Sequence, residues 1–322
     1  MPSRILSPVI REQFRGDAEN TGVFFERQLE HIKATQYQTI YAATKATQLL
    51  PVSTEAGEGA TSITFRLWDE VGIMKLIATA GDDIKRVDVK CREFITPIKP
   101  MAGAFGYSID EIAAAAMANV ALDSRKATAL TNAYNRLVNQ IAWNGDADTG
   151  IPGLLSNPNI TTGTVPDPGS GTVWSVKTAQ QILDDMNLIA SAPINAVQGN
   201  LDDAFVPDTM LLPVEQYTLV ATKNMSDDTG QTTILKFFME NNPWIKKVDW
   251  LPELKNGNNS VLSSDAALVY KNDPMNLTLE LPKLLQFLPV ERRGLEFITN
   301  GHARIGGVIV YQPLSIALYD GI

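Results

Sequence analysis

The stretch NQIAWNGDADTGIPGLLSNPNI, Asn139 to Ile160, is the most informative part of the chain. Its first residues close an amphipathic helix, and Asn144-Gly145 supplies a C-cap, since glycine takes the left-handed conformation that ends helices. From Gly145 to Gly153 the sequence is turn chemistry throughout, and it runs on into Leu154-Leu155-Ser156-Asn157-Pro158. Upstream, the spacing predicts one helix over 109–143. Ile109, Ile112, Leu130, Tyr134, Leu137 and Ile141 fall on a single stripe. Ser108 or Asp110 can cap it, and Glu111 sits in its first turn, where an acid is favoured. At about 1.5 Å per residue such a helix is about 50 Å long, the dimension of a structural spine.

Further upstream, Ser62 to Trp68 and Arg86 to Arg92 alternate polar and apolar residues, and Phe94 to Thr96 continues more weakly. These read as half-buried strands. The 17 residues from Asp69 to Lys85 exclude a tight hairpin and describe an extended excursion. Residues 1–20 are a polar arm, and Gly22 to Leu50 follows a helical pattern that Pro51 stops. Downstream, Thr161 to Thr172 is a linker and Val176 to Ala190 an amphipathic helix. Strands are expected at Ala204–Leu212, Ile245–Trp250 and Ala266–Lys271, and helices at Pro213–Ala221 and Thr233–Asn241. The tail reads as two strands around Asn300-Gly301, with a bulge at Gly306-Gly307.

Composition narrows the function. The 322 residues are 44% hydrophobic and 20% charged, enough to build a core over about two domains. The net charge of −9 argues against a chain that wraps nucleic acid. Two histidines, His31 and His302, and the single Cys91 leave no disulfide framework and no Cys/His zinc cluster. No apolar run is long enough for a signal peptide or a membrane span, so the sequons at Asn159, Asn224, Asn258 and Asn276 read as chance. Asp146-x-Asp148-x-Gly150 begins like a calcium loop, but the later bidentate Glu is missing. Neither a phosphate-cradling glycine motif nor a nucleophile elbow is present. His302 reads as a surface strand residue, Cys91 as a buried structural thiol, and the adjacent pairs Asp82-Asp83, Asp184-Asp185, Asp202-Asp203 and Asp227-Asp228 as solvated turns or caps. Every catalytic template fails. No enzyme activity and no cofactor is expected, and the excursions point to an assembly protein.

The segments ITFRLWDEVGIMKLIATAGDDIKRVDVKCREFITPIK, FGYSIDEIAAAAMAN and NQIAWNGDADTGIPGLLSNPNI carry a resemblance. The chain resembles the major capsid proteins of tailed bacteriophages, closest to the encapsulin-like phage capsid group, whose fold is shared with encapsulins and the herpesvirus capsid floor. The resemblance implies an α+β capsid fold with an N-terminal arm at 1–52 and an extended β-hairpin loop at 53–92. A peripheral domain holding the spine spans 93–203 and 283–322, with an axial domain inserted at 204–282. It implies self-assembly into pentamers and hexamers of an icosahedral shell, the hairpin lying over a neighbouring copy. Partners would be further copies of the chain, a portal, scaffold or cementing proteins, and non-specifically packaged double-stranded DNA. The protein would reside in the virion, assembled in the host bacterial cytoplasm. Phe24, Phe25, Arg66, Trp68, Lys75 and Arg86 are the side chains expected at contacts between copies. The alternative within this resemblance is an encapsulin-type shell around a cargo enzyme, which the arm at Gly22 to Leu50 disfavours; an unrelated soluble enzyme is disfavoured by the missing catalytic groups.

Overall fold

The last carbonyls of a helix have no partner within it, and how they are satisfied decides what the next segment does. In the computed structural model the described residues are 44–72, 86–118, 122–169, 171–197, 203–225, 232–258 and 261–322. The spine region contains two helices, α2 (Ile109–Ala118) and α3 (Leu122–Asn144), after a short α1 (Ala46–Leu49); residues 119–121 lie outside the described ones. Ser108 caps α2 as expected, its hydroxyl accepting the Glu111 N–H at 3.0 Å. At the other end, Gly145 takes φ 73° and donates to Ile141. The chain then folds back on the helix end. Leu154 N–H donates to the Ala142 carbonyl and Leu155 N–H to that of Trp143, at 2.9 and 2.8 Å. Asp146 and Ile151 exchange two backbone bonds of 3.0 Å, closing the turn between.

Asn139, one helical turn before Trp143, is a buried hub. Its Oδ1 accepts from Lys45 N–H and Ala46 N–H, at the start of α1, and from Trp143 Nε1. Its Nδ2 donates to Glu253. One amide thus joins the entering chain, the spine and the segment at Pro252–Leu254.

Fourteen strands, β1 (Val52–Ser53) to β14 (Ile316–Asp320), form four sheets among the described residues. The central sheet has the order β5-β14-β8-β6-β7, from β5 (Thr161–Thr164), β6 (Thr209–Leu212), β7 (Lys247–Trp250), β8 (Ala266–Tyr270) and β14. Alternation sends its side chains to two separate cores. Leu211, Leu268, Tyr270 and Ile316 join Trp143, Leu154 and Leu251. Met210, Leu212, Val269 and Ala317 join α4 (Ala179–Ala196), α5 (Val214–Thr222) and α6 (Ile234–Asn241) through Ile182, Met186, Val220 and Phe238. A three-stranded sheet orders β1, β9 (Leu277–Glu280) and β13 (Gly307–Val310).

The third sheet pairs β12 (Glu296–Ile305) with β4 (Lys99–Ser108) on one side, and with β10 (Lys283–Phe287) and β11 (Glu291–Arg293) on the other. Here the tail departs from expectation. Asn300-Gly301 is not a turn; β12 runs straight through it, with Gly301 opposite Gly103 of β4. The glycine pair makes room for α3. A Cβ on Gly103 would stand 2.5 Å from Leu130 Cδ1, and one on Gly301 would stand 3.0 Å from Leu130 Cδ2. The break falls at Gly306-Gly307, between β12 and β13.

Two other expectations are corrected. Asp185 is not solvated. It is buried with Lys177 at 2.7 Å and with the Trp174 indole N–H at 3.0 Å. Burial pushes its carboxyl up, against the pull of Lys177. Cys91 is exposed, not buried, for a reason that lies in the remaining sheet.

Candidate intersubunit surface

The fourth sheet is the two-stranded ladder of β2 (Ser62–Val71) and β3 (Asp88–Pro97). Ten registered pairs run from Ser62↔Pro97 to Val71↔Asp88, with residues 73–85 outside the described ones. At about 3.3 Å per residue the ladder is about 33 Å long. Side chains directly opposite share a face, so the register sorts the hairpin into two surfaces.

On one face lie Ile63, Phe65 and Leu67, all half-buried, opposite Thr96, Phe94 and Arg92. Phe65 stacks on Phe94 at 5.2 Å and meets Tyr311, outside the hairpin, edge-on at 5.0 Å. Ile98 N–H donates to the Thr61 carbonyl, and Lys283 pairs with Glu58 at 2.9 Å. These contacts fix the root.

On the other face Thr64, Arg66, Trp68 and Glu70 oppose Ile95, Glu93, Cys91 and Val89. Every one is exposed: Trp68 by 64% and Ile95 by 69%. Arg66 and Glu93 form a 3.4 Å ion pair in water. The half-buried strands read from the alternation are therefore buried only at the root; β3 is exposed from Asp88 to Ile95. Alternation marks one face as apolar but does not say what covers it. That is also why Cys91 is exposed: it sits opposite Trp68 on the uncovered face.

Of the side chains expected between copies, Arg66 and Trp68 share this face, and Arg86 is exposed just before β3. Phe24, Phe25 and Lys75 lie outside the described residues. Ile95 and Val89 complete the face and were not singled out by the sequence. The signal was the parity that the register sets: counted from Trp68↔Cys91, Ile95 and Val89 must lie on the same face as Trp68. A second exposed stretch spans Gln286 to Glu296, around β11, and includes Leu288, Val290 and Leu295. The turn at Asp146 is a polar turn, with the Thr149 hydroxyl donating to its carboxylate at 2.7 Å. Among the described residues no three His, Cys, Asp or Glu side chains gather to hold a metal, and no helix is long and apolar enough to cross a membrane.

A protein-family model described as "Major capsid protein" matches residues 72–322, which include the spine, the back-folded turn and strands β3 to β14. The chain belongs to the major capsid protein family. Members of this family are structural components of the virion rather than enzymes. This major capsid protein superposes on the capsid of Myoviridae phage XM1 with a TM-score of 0.80 at 18% identity, over 94% of this chain and all of that one. With Mycobacterium phage Bobi the TM-score is 0.62 at 13% identity, over 90% and 94% of the two chains. The capsid of a native GTA particle gives 0.60 at 11% identity, over 92% and 96%. At these identities the likeness is one of fold: a phage-capsid α+β architecture. Comparison with curated proteins gives no match.

Proposed function

We propose that this major capsid protein assembles, as pentamers and hexamers, into a closed icosahedral phage head around double-stranded DNA, with each hairpin lying on a neighbouring copy. The observation that carries the reading is the hairpin itself. A two-stranded ladder is marginal alone in water, and in this one Trp68, Ile95 and Val89 are exposed on a face that no other element among the described residues covers. Large exposed apolar groups aligned on one face favour a protein partner, and in a family of shell proteins the available partner is another copy. The arm at 1–52, hairpin at 53–92, peripheral domain at 93–203 and 283–322, and axial domain at 204–282 are the divisions this reading uses. The net charge of −9 suits a wall that holds DNA without adhering to it.

Electron microscopy of the purified protein and of a variant lacking residues 69–85 tests the proposal. The intact chain should form shells. The variant should keep its fold by circular dichroism yet fail to close them. Complete shells from the variant would remove the hairpin's role. An intact chain that stays monomeric in all conditions would overturn the shell reading. DNA rather than a protein cargo inside native particles separates a phage head from a nanocompartment.

A further inference from the structure

The chain contains three Asn-Gly pairs, at 144–145, 256–257 and 300–301. Asn-Gly is the dipeptide in which the following backbone nitrogen most readily attacks the asparagine side chain, because glycine offers no Cβ to obstruct the approach and tolerates the required backbone angles. Three conditions select among such pairs in a folded protein: an accessible asparagine, a glycine N–H not held by an acceptor, and room around the glycine.

The structure separates the three. Gly145 N–H is held by the Ile141 carbonyl at 2.9 Å, and Asn144 is half-buried with its Oδ1 enclosed. Gly301 lies in β12, paired on one side with Gly103 and on the other with Phe287, and Asn300 is half-buried between them. Asn256 and Gly257 are both exposed. Gly257 takes φ 88°, nothing lies within 4 Å of where its Cβ would be, and its N–H has no acceptor among the described residues.

We propose that Asn256 is a site of spontaneous deamidation, the one Asn-Gly pair of the three that the native fold leaves reactive. The Gly257 nitrogen gives up its proton to solvent base and attacks Asn256 Cγ. The Nδ2 group leaves as ammonia, and a five-membered cyclic imide remains. Water opens the ring at either carbonyl, giving aspartate or isoaspartate; the net exchange is water in and ammonia out, with no redox step.

The modification has a local consequence. Asn256 is tied across its loop by two bonds: its N–H donates to Asp265 Oδ1 at 2.8 Å, and its Nδ2 donates to the Ser263 carbonyl at 2.9 Å. A carboxylate cannot donate. Its oxygen would face the Ser263 carbonyl oxygen with Asp265 nearby, so the second tie is lost and a negative charge is added beside a negative one. Each copy would age into a form with this loop loosened.

The test is peptide mass spectrometry on the full-length protein held at mildly alkaline pH, natively and in denaturant. Expected is a rise of the deamidated and isoaspartyl forms at Asn256 in the native sample, with Asn144 and Asn300 intact. In denaturant all three should react at similar rates, and the Gly257→Ala variant should slow the reaction at Asn256 in both samples. Native reaction at Asn144 or Asn300 as fast as at Asn256 would overturn the assignment. So would an Asn256 that stays amidated in the native protein while it reacts in denaturant. Neither outcome bears on whether the chain forms shells.

Discussion

Two ladders in this molecule have the same length and a different fate. β2 pairs with β3, and β4 with β12, each over ten antiparallel residue pairs. Since β4 follows β3 after only Ile98, the two share nearly one continuous extended run. The β4–β12 ladder is covered by α3, which settles Leu130 onto Gly103 and Gly301. Among the described residues the β2–β3 ladder is covered by nothing beyond its root. Backbone pairing is therefore not what distinguishes the stable part of this fold. A two-stranded ladder gains cross-strand contacts of about 0.2–1 kcal/mol per pair, whereas a buried face adds about 25 cal/mol per Å² of apolar surface. The hairpin has the first without the second.

The largest expected effect contrasts one residue type in the two regions. Trp143, near the end of α3, is fully buried in the core that also holds Leu154 and Leu155 of the back-folded turn, while Trp68 is mostly exposed on β2. Trp143→Ala should cost about 3–5 kcal/mol of subunit stability, through lost packing and the cavity left behind. Trp68→Ala should leave the unassembled subunit within about 0.5 kcal/mol of the parent. Urea unfolding of dissociated subunits measures both. Assembly should invert the order for Trp68: a tryptophan that anchors an interface contributes about 2 kcal/mol or more, so W68A should raise the concentration at which shells form. Equal stability losses at the two positions would remove the distinction between the ladders.

Next comes the glycine pair. Gly103→Val forces side-chain atoms against Leu130 and should cost about 1–3 kcal/mol by overpacking. Thr64→Val on the exposed face of β2 should be close to neutral, since β-branched residues suit strands and nothing there is crowded. Thermal unfolding of the two variants, compared with the parent, checks the pair. A destabilised Thr64 variant would mean the hairpin face is already covered within the subunit.

How much of this was legible beforehand follows the same division. The end of α3 was legible because it is local: Asn144-Gly145 announces a C-cap, and the cap is there. The parity of β2 and β3 was legible for the same reason. What faced the strands was not, because burial depends on elements distant in sequence. The reading of Cys91 as buried failed for that reason. Asn300-Gly301 failed in the opposite sense. Its turn propensity is strong, but the pairing of β12 with β4 and the demand of Leu130 for a glycine overrode it. Asp185 was likewise misread, because only the fold brings Lys177 and Trp174 to it. The shared face of Trp68, Ile95 and Val89 required the register, which the sequence alone does not supply.

A smaller effect tests the covered region through pH. Asp249, at β7, lies beside Lys45 at 2.7 Å and Lys247 at 3.3 Å, and Lys45 also sits 3.4 Å over the Trp250 ring. Burial alone would raise this carboxyl; hydrogen bonds from Lys45, the Trp250 N–H and Lys247 outweigh it and hold the group below the usual carboxylate range. A folded-state value below the unfolded one, about 3.9 for an aspartate, means the unfolded chain binds the proton first as pH falls. The stabilisation is thus fully present above that pH and is lost on descent through the depressed folded value. Asp249→Asn should be less stable than the parent at neutral pH and should lose less on acidification, the two curves converging at low pH. Parallel curves would show that Lys45 does not anchor the entering chain through this carboxylate.

The smallest effect is expected where the geometry most invites overreading. Arg66 and Glu93 oppose each other across the hairpin at 3.4 Å, each side chain more than half exposed. Exposed pairs of this kind contribute about 0–1 kcal/mol, because water already solvates both charges and salt screens them. A double-mutant cycle with Arg66→Ala and Glu93→Ala on dissociated subunits should therefore give a coupling near the bottom of that range, shrinking as salt is raised. The same cycle run on shell assembly should give a larger coupling. A neighbouring copy laid over this face would remove water from both groups, and a charge left without its partner under a covered face is costly. If the coupling is the same in subunits and in shells, the Arg66 face of the hairpin stays in water after assembly, and the covering copy must lie on the Phe65 side instead.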